Sequence, residues 1–238
     1  MQPILWVTGA GSGMGRAAAI SAAANGWRVV LSGRREAALD ETARTIGSTG
    51  GTAMVAPLDV RNADDIARVH ASITDDWGPV GGLVLSAGLN NPHRAWRDQS
   101  MPDFADIINT NLLAVAAVID SALPDLRQTA GTVVVISSFA GWRFSPNAGV
   151  AYSASKTALS ALCESLNAQE ADHGVRACNL CPGDVDSDFL ALRPNVPDTT
   201  ARAVMLTPGD IGRAVQFVLD SPAHVRINEL VITPVAQH

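Results

Sequence analysis

Thr8-Gly9-Ala10-Gly11-Ser12-Gly13-Met14-Gly15 decides the fold of this chain. It follows a short apolar, β-branched run, Ile4–Thr8, and opens an alanine-rich segment of helical period, Met14–Asn25. Glycine permits a tight turn and lets the backbone approach a ligand closely. The free N–H groups and positive dipole of the helix start then suit a pyrophosphate. Gly9, Ser12, Gly13, Met14 and Gly15 are therefore read as a dinucleotide cradle between a first strand and a first helix. Outward from this turn the alternation repeats. Strands are expected at Arg28–Leu31, Thr52–Pro57, Gly82–Leu85, Thr132–Ser137, Val175–Cys181 and Glu229–Thr233. Helices are expected at Glu36–Ile46, Ala63–Asp76, Met101–Leu126, Ala151–Asp172 and Pro208–Leu219. Continuously apolar strands separated by helices specify a parallel sheet covered on both faces. Right-handed crossovers make it an α/β doubly wound sheet of about seven strands, with ligands beyond the carboxyl ends of the strands. No repeat or linker divides the chain, so residues 1–238 are read as one domain. The Pro- and Asp-rich stretch 184–206 is read as a substrate lid.

At 238 residues, with 47% hydrophobic and 17% charged, the chain has enough apolar material for one sizeable core and does not resemble a disordered tail. The net charge of −6, with arginines scattered along the chain, argues against nucleic acid and against an anionic membrane surface as partners. No apolar run is judged long enough to span a bilayer. Met1–Gly9 lacks a basic stretch and reads as a first strand, not an export signal. Three cysteines, an odd number, do not suggest a disulfide scaffold, and a cytoplasmic location is expected. Cys178 and Cys181 form a C-x-x-C inside an expected strand, where residues three apart face opposite sides. No second pair at ligand spacing accompanies them, so no metal is expected.

The second strand ends Leu31-Ser32-Gly33-Arg34-Arg35, with no carboxylate to meet a ribose 2′-hydroxyl. Two guanidiniums stand where a 2′-phosphate would lie, and NADP(H) is favoured over NAD(H). The chain has one tyrosine, Tyr152, and one lysine, Lys156. They fall at i and i+4, on one helix face and within reach of one ligand. A lone lysine among arginines suggests work for a compact charge with a tunable pKa. Reduction of a carbonyl needs a proton at oxygen as hydride reaches carbon. Tyr152 would supply it, with a nearby ammonium and a cationic nicotinamide expected to lower the phenol pKa. Lys156 would tune the phenol and hold the nicotinamide ribose.

The T-G-x-x-x-G-x-G spacing, together with Tyr152-x-x-x-Lys156, resembles the short-chain dehydrogenase/reductase family in its compact, single-domain, Rossmann-type branch. The resemblance runs from Ile4 to about Pro234. It implies an oxidoreductase in which Ser138 bonds the substrate oxygen and Asn111 holds a water that relays protons to the lysine. Asn109 is a rival for that place. The resemblance also implies that Asp59-Val60 contacts the adenine, that the Ala87-Gly88 backbone passes the cofactor, and that the segment Pro182-Gly183-Asp184-Val185-Asp186-Ser187 meets the nicotinamide. The family's Asn-Asn-Ala-Gly is here Leu85-Ser86-Ala87-Gly88, so any bracing by those asparagines must be made differently. The C-terminal part is similar to NADP-dependent 3-hydroxy acid dehydrogenases of the serine type and to small-aldehyde reductases. Trp142 and Arg143 are substrate-side candidates, since Arg143 could grip a carboxylate or be a solvated loop residue; His93, Arg94 and Arg97 carry the same ambiguity. The resemblance also implies a homodimer or homotetramer, for which Leu112–Leu126 and Ala158–Leu166 carry apolar surface. A cofactor-sensing protein without turnover, or an NAD-dependent dehydrogenase, is the alternative.

Overall fold

The computed structural model describes residues 2–237, so Met1, the first residue of the stretch read as the opening strand, lies outside the described residues. Seven strands, β1 (Ile4–Thr8), β2 (Arg28–Ser32), β3 (Thr52–Val55), β4 (Gly82–Leu85), β5 (Thr132–Ile136), β6 (Arg176–Pro182) and β7 (Glu229–Ile232), form one sheet in the order β3-β2-β1-β4-β5-β6-β7. All six pairings are parallel. The chain leaves β1 toward one edge through β2 and β3, then returns to lay β4 on its other side, so the switch point lies between β1 and β4.

Side chains alternate across the sheet and build two cores. Leu5, Val7, Val29, Leu31, Val84 and Val134 pack against α1 (Gly13–Ala24), α2 (Glu36–Ser48) and α9 (Pro208–Leu219). Ile4, Trp6, Val30, Leu83, Leu85 and Val133 pack against α3 (Ala63–Asp76), α5 (Ala114–Thr129) and α7 (Val150–Gln169). The small residues of α1 let α9 come close: a Cβ on Gly212 would lie 2.9 Å from the Ala17 carbonyl oxygen.

Three differences from the sequence reading bear on function. First, the expected helix Met101–Leu126 is α4 (Met101–Ile108) joined to α5 by one π-helical turn, Asn109–Leu113, and it ends at Thr129. This run, Met101–Thr129, is long and apolar enough by length and composition to cross a membrane, which corrects the judgement that no such run exists. It lies against the sheet, with Val115, Val118, Ile119, Ala122 and Leu126 in the core. Second, the stretch 184–206 is not structureless. It holds a 3-10 helix, Asp188–Leu192, and a short helix before its end, and it is pinched at its neck by a parallel bridge between Val185 and Leu206. Third, a short helix over Phe139–Trp142, α6, follows β5; the helix Thr199–Arg202 within 184–206 is α8. Cys178 and Cys181 are free and buried, and burial pushes their thiols up to about 12 and about 11. They are neutral strand residues, with Cys178 in the α1 and α9 core.

Candidate active site

The glycine turn is fixed by contacts that no side chain could share. Gly9 and Gly13 adopt φ of +68° and +52°, the left-handed region. A Cβ on Gly9 would lie 2.9 Å from the Ala87 nitrogen, and one on Gly15 would overlap the Gly9 carbonyl, 2.8 Å from its carbon. So Gly15 brings α1 down on β1, and Gly9 brings the turn against the end of β4. The bracing expected of the missing asparagines is made by Thr8, whose hydroxyl accepts from the Ser86 and Ala87 N–H groups at 3.2 and 3.4 Å.

Above this turn a cleft of about 250 Å³ opens at the switch point. Gly9, Ser12, Gly13, Met14, Arg34, Arg35, Asp59, Val60, Ala87, Gly88 and Ser187 all line it. Gly15, Pro182, Gly183 and Val185 do not: Gly15 is buried under the turn, Pro182 closes β6, and Val185 is packed in the α1 and α9 core. Arg35 donates to the Ser12 hydroxyl at 3.3 Å, which ties the end of β2 to the helix start and concentrates positive charge there. Sequence reasoning missed Arg61. Its guanidinium grips Asp59 at 2.7 and 3.1 Å and, foremost by that hydrogen bond, holds the Asp59 carboxyl below its ordinary value. The signal was its position two residues beyond Asp59.

Tyr152 and Lys156 lie one turn apart on α7, with the Lys156 nitrogen 5.8 Å from the centre of the Tyr152 ring. Ser138 lies two residues beyond β5 and caps α6 by accepting from the Ala140 N–H at 3.2 Å. α6 sits tightly on α7: a Cβ on Gly141 would lie 2.6 Å from the Lys156 carbonyl oxygen. The buried Lys156 ammonium donates to the Ile136 carbonyl at 2.8 Å. Burial lowers its pKa to about 8. Burial also raises the Tyr152 phenol above its ordinary value, opposite to the lowering expected from sequence, while Ser138, Arg94 and Arg193 draw it back.

The π turn decides between the two asparagines. It slips the helix by a residue and turns Asn111 inward, fully buried, while Asn109 is exposed. The Asn111 carboxamide accepts from the Leu89 N–H at 2.7 Å and donates to the Leu89 carbonyl at 2.9 Å and the Ser155 hydroxyl at 3.1 Å. Asn111 Oδ1 and Lys156 Nζ converge beside Gly88, 3.7 and 3.9 Å from the place a Cβ would occupy there. Catalytic-helix groups and cofactor-cleft backbone thus meet at one point.

The rim candidates separate clearly. Trp142 and Arg143 are exposed, stacked on each other at 4.2 Å, and neither lines the cleft. His93 and Arg97 are exposed, whereas Arg94 is buried. From the lid, Phe189 lines the cleft and packs 6.1 Å from the Tyr152 ring. Among the described residues no cluster of His, Cys, Asp and Glu could hold a metal ion.

Residues 3–195 match the short chain dehydrogenase family. The chain belongs to that family. Like other short-chain dehydrogenases, it is an oxidoreductase. It is similar to sulfoacetaldehyde reductase 2 of Chromohalobacter salexigens, 31% identical over 245 residues that cover 100% of this chain and 96% of that one. Among solved structures it resembles an alcohol dehydrogenase from the archaeon Thermococcus sibiricus complexed with 5-hydroxy-NADP, with TM-score 0.90 and 29% identity over 100% and 99% of the two chains. It also resembles the closed form of a serine dehydrogenase complexed with NADP+, with TM-score 0.89 and 30% identity over 99% and 96%.

Proposed function

We propose that this short-chain dehydrogenase is an NADP(H)-dependent enzyme interconverting a small alcohol and its carbonyl compound, with Tyr152 as general acid and base. The observation that carries the reading is the convergence of Lys156 and Asn111 on Gly88, which lines a cleft built on the glycine turn, with Tyr152 one helical turn from Lys156. The residues suit the cofactor: the left-handed glycines leave room for a diphosphate, and Ser12, Arg34 and Arg35 form a cationic corner for a 2′-phosphate. The nicotinamide, when bound, supplies or takes the hydride at the substrate carbon. Ser138 holds the substrate oxygen by its hydroxyl. Tyr152, protonated because burial raises its pKa, gives that oxygen its proton in reduction and recovers it in oxidation. Lys156, with a pKa near 8, stands ready to pass a proton onward beside Asn111. The relatives named above, two of them complexed with NADP+ or 5-hydroxy-NADP, are by name a sulfoacetaldehyde reductase, an alcohol dehydrogenase and a serine dehydrogenase, which agrees with this reading.

The test is titration of the purified protein with NADPH and NADH, followed by nicotinamide absorbance against a panel of small aldehydes, ketones and hydroxy acids. Tighter binding of NADPH and turnover of a panel member is the expected result. Binding without turnover of any compound would favour a cofactor sensor, and binding of neither nucleotide would overturn the reading. We also propose a homodimer or homotetramer; Met101 and Leu113 expose 69% and 62% of their surface along the α4–α5 run. Light scattering that finds only monomer would remove this.

A further inference from the structure

We infer that Arg61 is a positioning residue for the nucleotide base: its guanidinium holds the Asp59 carboxylate in the one orientation from which it accepts the 6-amino group of adenine, and so sets the preference for adenine over purines that carry a carbonyl at that place. This rests on the NADP(H) reading above and deepens it, since the family resemblance implies only that Asp59 meets the adenine. The cleft has two ends. At one, Gly88 adjoins Lys156 and Asn111, where the chemistry lies. At the other, across the switch point, stand Arg34 and Arg35 beyond β2, and Asp59 and Arg61 beyond β3. The nicotinamide belongs to the first end, so the adenosine belongs to the second, with its 2′-phosphate at Arg34 and its base farther out, toward the edge strand β3.

The main chain around Asp59 is fixed. The Leu58 N–H donates to the Gly33 carbonyl at 3.1 Å, the Asp59 N–H donates to the Asp65 carboxylate at 3.1 Å, and Asn62 caps α3. The Asp59 side chain keeps 30% of its surface open, so without a partner it could turn. Arg61 removes that freedom. Its backbone N–H and its Nε donate to Asp59 Oδ1 at 3.0 and 3.1 Å, and its Nη2 donates to Oδ2 at 2.7 Å. An ionised carboxylate is a pure acceptor with about four sites, so these donors leave about one site open. Adenine offers a donor at C6. Hypoxanthine has a carbonyl oxygen there, which a carboxylate repels, and its nearest donor is the neighbouring N1–H. A carboxylate free to turn could follow that N1–H; one held by a fork cannot. The hydrogen bond from Arg61 also holds the Asp59 carboxyl below its ordinary value, so the group is a charged acceptor near neutrality. Arg61 Nη1 stands 3.9 Å from the Asp106 carboxylate of α4, which steers the fork from its other side. Among the described residues no ion pair joins Arg34 to a carboxylate, which leaves Arg34 to the phosphate.

The experiment measures by fluorescence titration the Kd of NADPH and of its hypoxanthine analogue, reduced nicotinamide hypoxanthine dinucleotide phosphate. The proteins are the wild type, Arg61→Met, Arg61→Lys, Asp59→Asn, and Asp59→Asn combined with Arg61→Met. The wild type should prefer the adenine nucleotide by at least about tenfold. Arg61→Met should cut that preference by about fivefold, because the released carboxylate must be ordered anew on binding. Arg61→Lys should recover only part of it, since an ammonium cannot hold both oxygens as a fork does. In the Asp59→Asn background Arg61→Met should leave the preference unchanged, as it must if it acts through Asp59. A purely structural role for Arg61 would weaken both nucleotides alike and leave their ratio where it was. That result, equal binding of the two nucleotides by the wild type, full recovery in Arg61→Lys, or an Arg61 effect that persists in Asp59→Asn would overturn the inference and leave the dehydrogenase reading intact. So would a loss of NADPH relative to NADH with the base preference unchanged, which would put Arg61 on the 2′-phosphate instead. An Arg61-dependent adenine preference in a protein that turns over no compound would support the inference and sink the catalytic reading. Binding of neither nucleotide would overturn both.

Discussion

The glycine-turn half of the molecule and the lid half hold their parts in place by different means. Around β1, β2 and α1 the constraint is steric and short-range. Gly9 and Gly15 sit where a Cβ would strike backbone, and Thr8 fastens the end of β4. Around the lid the constraint is polar and long-range. Arg94 reaches the Leu192 carbonyl across 98 positions of sequence, Arg193 pairs with Asp184, and Arg202 with Asp186. Packed backbone has one arrangement, whereas the half-exposed contacts of Arg193 and Arg202 can open and close. We propose that this difference divides rigid cofactor holding from substrate admission.

The sharpest way to test this division is at the junction of the halves. Tyr152→Phe should lower kcat by about 10³-fold while NADPH affinity moves less than about threefold, because the phenol serves the reaction and not the cradle. Stopped-flow turnover beside fluorescence titration of NADPH would show it, and a parallel loss of affinity would blur the division. Gly15→Ala strikes the steric half. Overlap with the Gly9 carbonyl should cost about 3 kcal/mol of stability, read by urea denaturation, and should weaken NADPH binding as the turn shifts. Arg34→Ala spares packing but removes a charge. It should raise the NADPH Kd by about tenfold and leave NADH nearly unchanged. An equal effect on both nucleotides would take the 2′-phosphate away from this corner.

A smaller effect reads the Lys156 charge. Its folded pKa of about 8 lies below the ordinary 10.5, so between these values the unfolded chain holds a proton that the folded chain has lost. Stability from this group therefore rises with pH across that window. Denaturation at pH 7.5 and 9.5 should show wild type gaining relative to Lys156→Met by on the order of 1–2 kcal/mol. The buried thiols act in the opposite sense in both proteins and cancel in the comparison. Smallest of all, Arg143→Ala should change kcat/KM by less than about twofold, since the exposed guanidinium rests only on Trp142.

The steric half was legible in the sequence because its constraints are written in residue type. A glycine that must be glycine, an apolar strand and a lone Tyr–Lys pair at helical spacing all show without knowledge of distant neighbours. The lid half was not legible for the same reason in reverse. Arg94, Arg97 and Arg143 look alike as letters, and only contacts between segments far apart bury the first and leave the others in water. The choice of Asn111 over Asn109 depended on a one-residue slip in the helix, which leaves hydrophobic periodicity nearly unchanged. The length of the Met101–Thr129 run was hidden by its polar residues, because Asn109, Asn111, Asp120 and Asp125 interrupt the apolar pattern. The short helices of 184–206 carry too few residues for a period to appear.

The neck of the lid has a consequence beyond this one enzyme. Val185 and Leu206 lie side by side in an isolated parallel bridge outside the sheet, so everything between them departs and returns at one spot. Such a segment behaves as a cassette. Beyond Phe189, where it no longer lines the nucleotide cleft, lengthening, shortening or exchanging it demands no movement of any strand. A lineage built on this plan can trade one substrate for another by splicing a single surface excursion, keeping its redox machinery intact through every exchange.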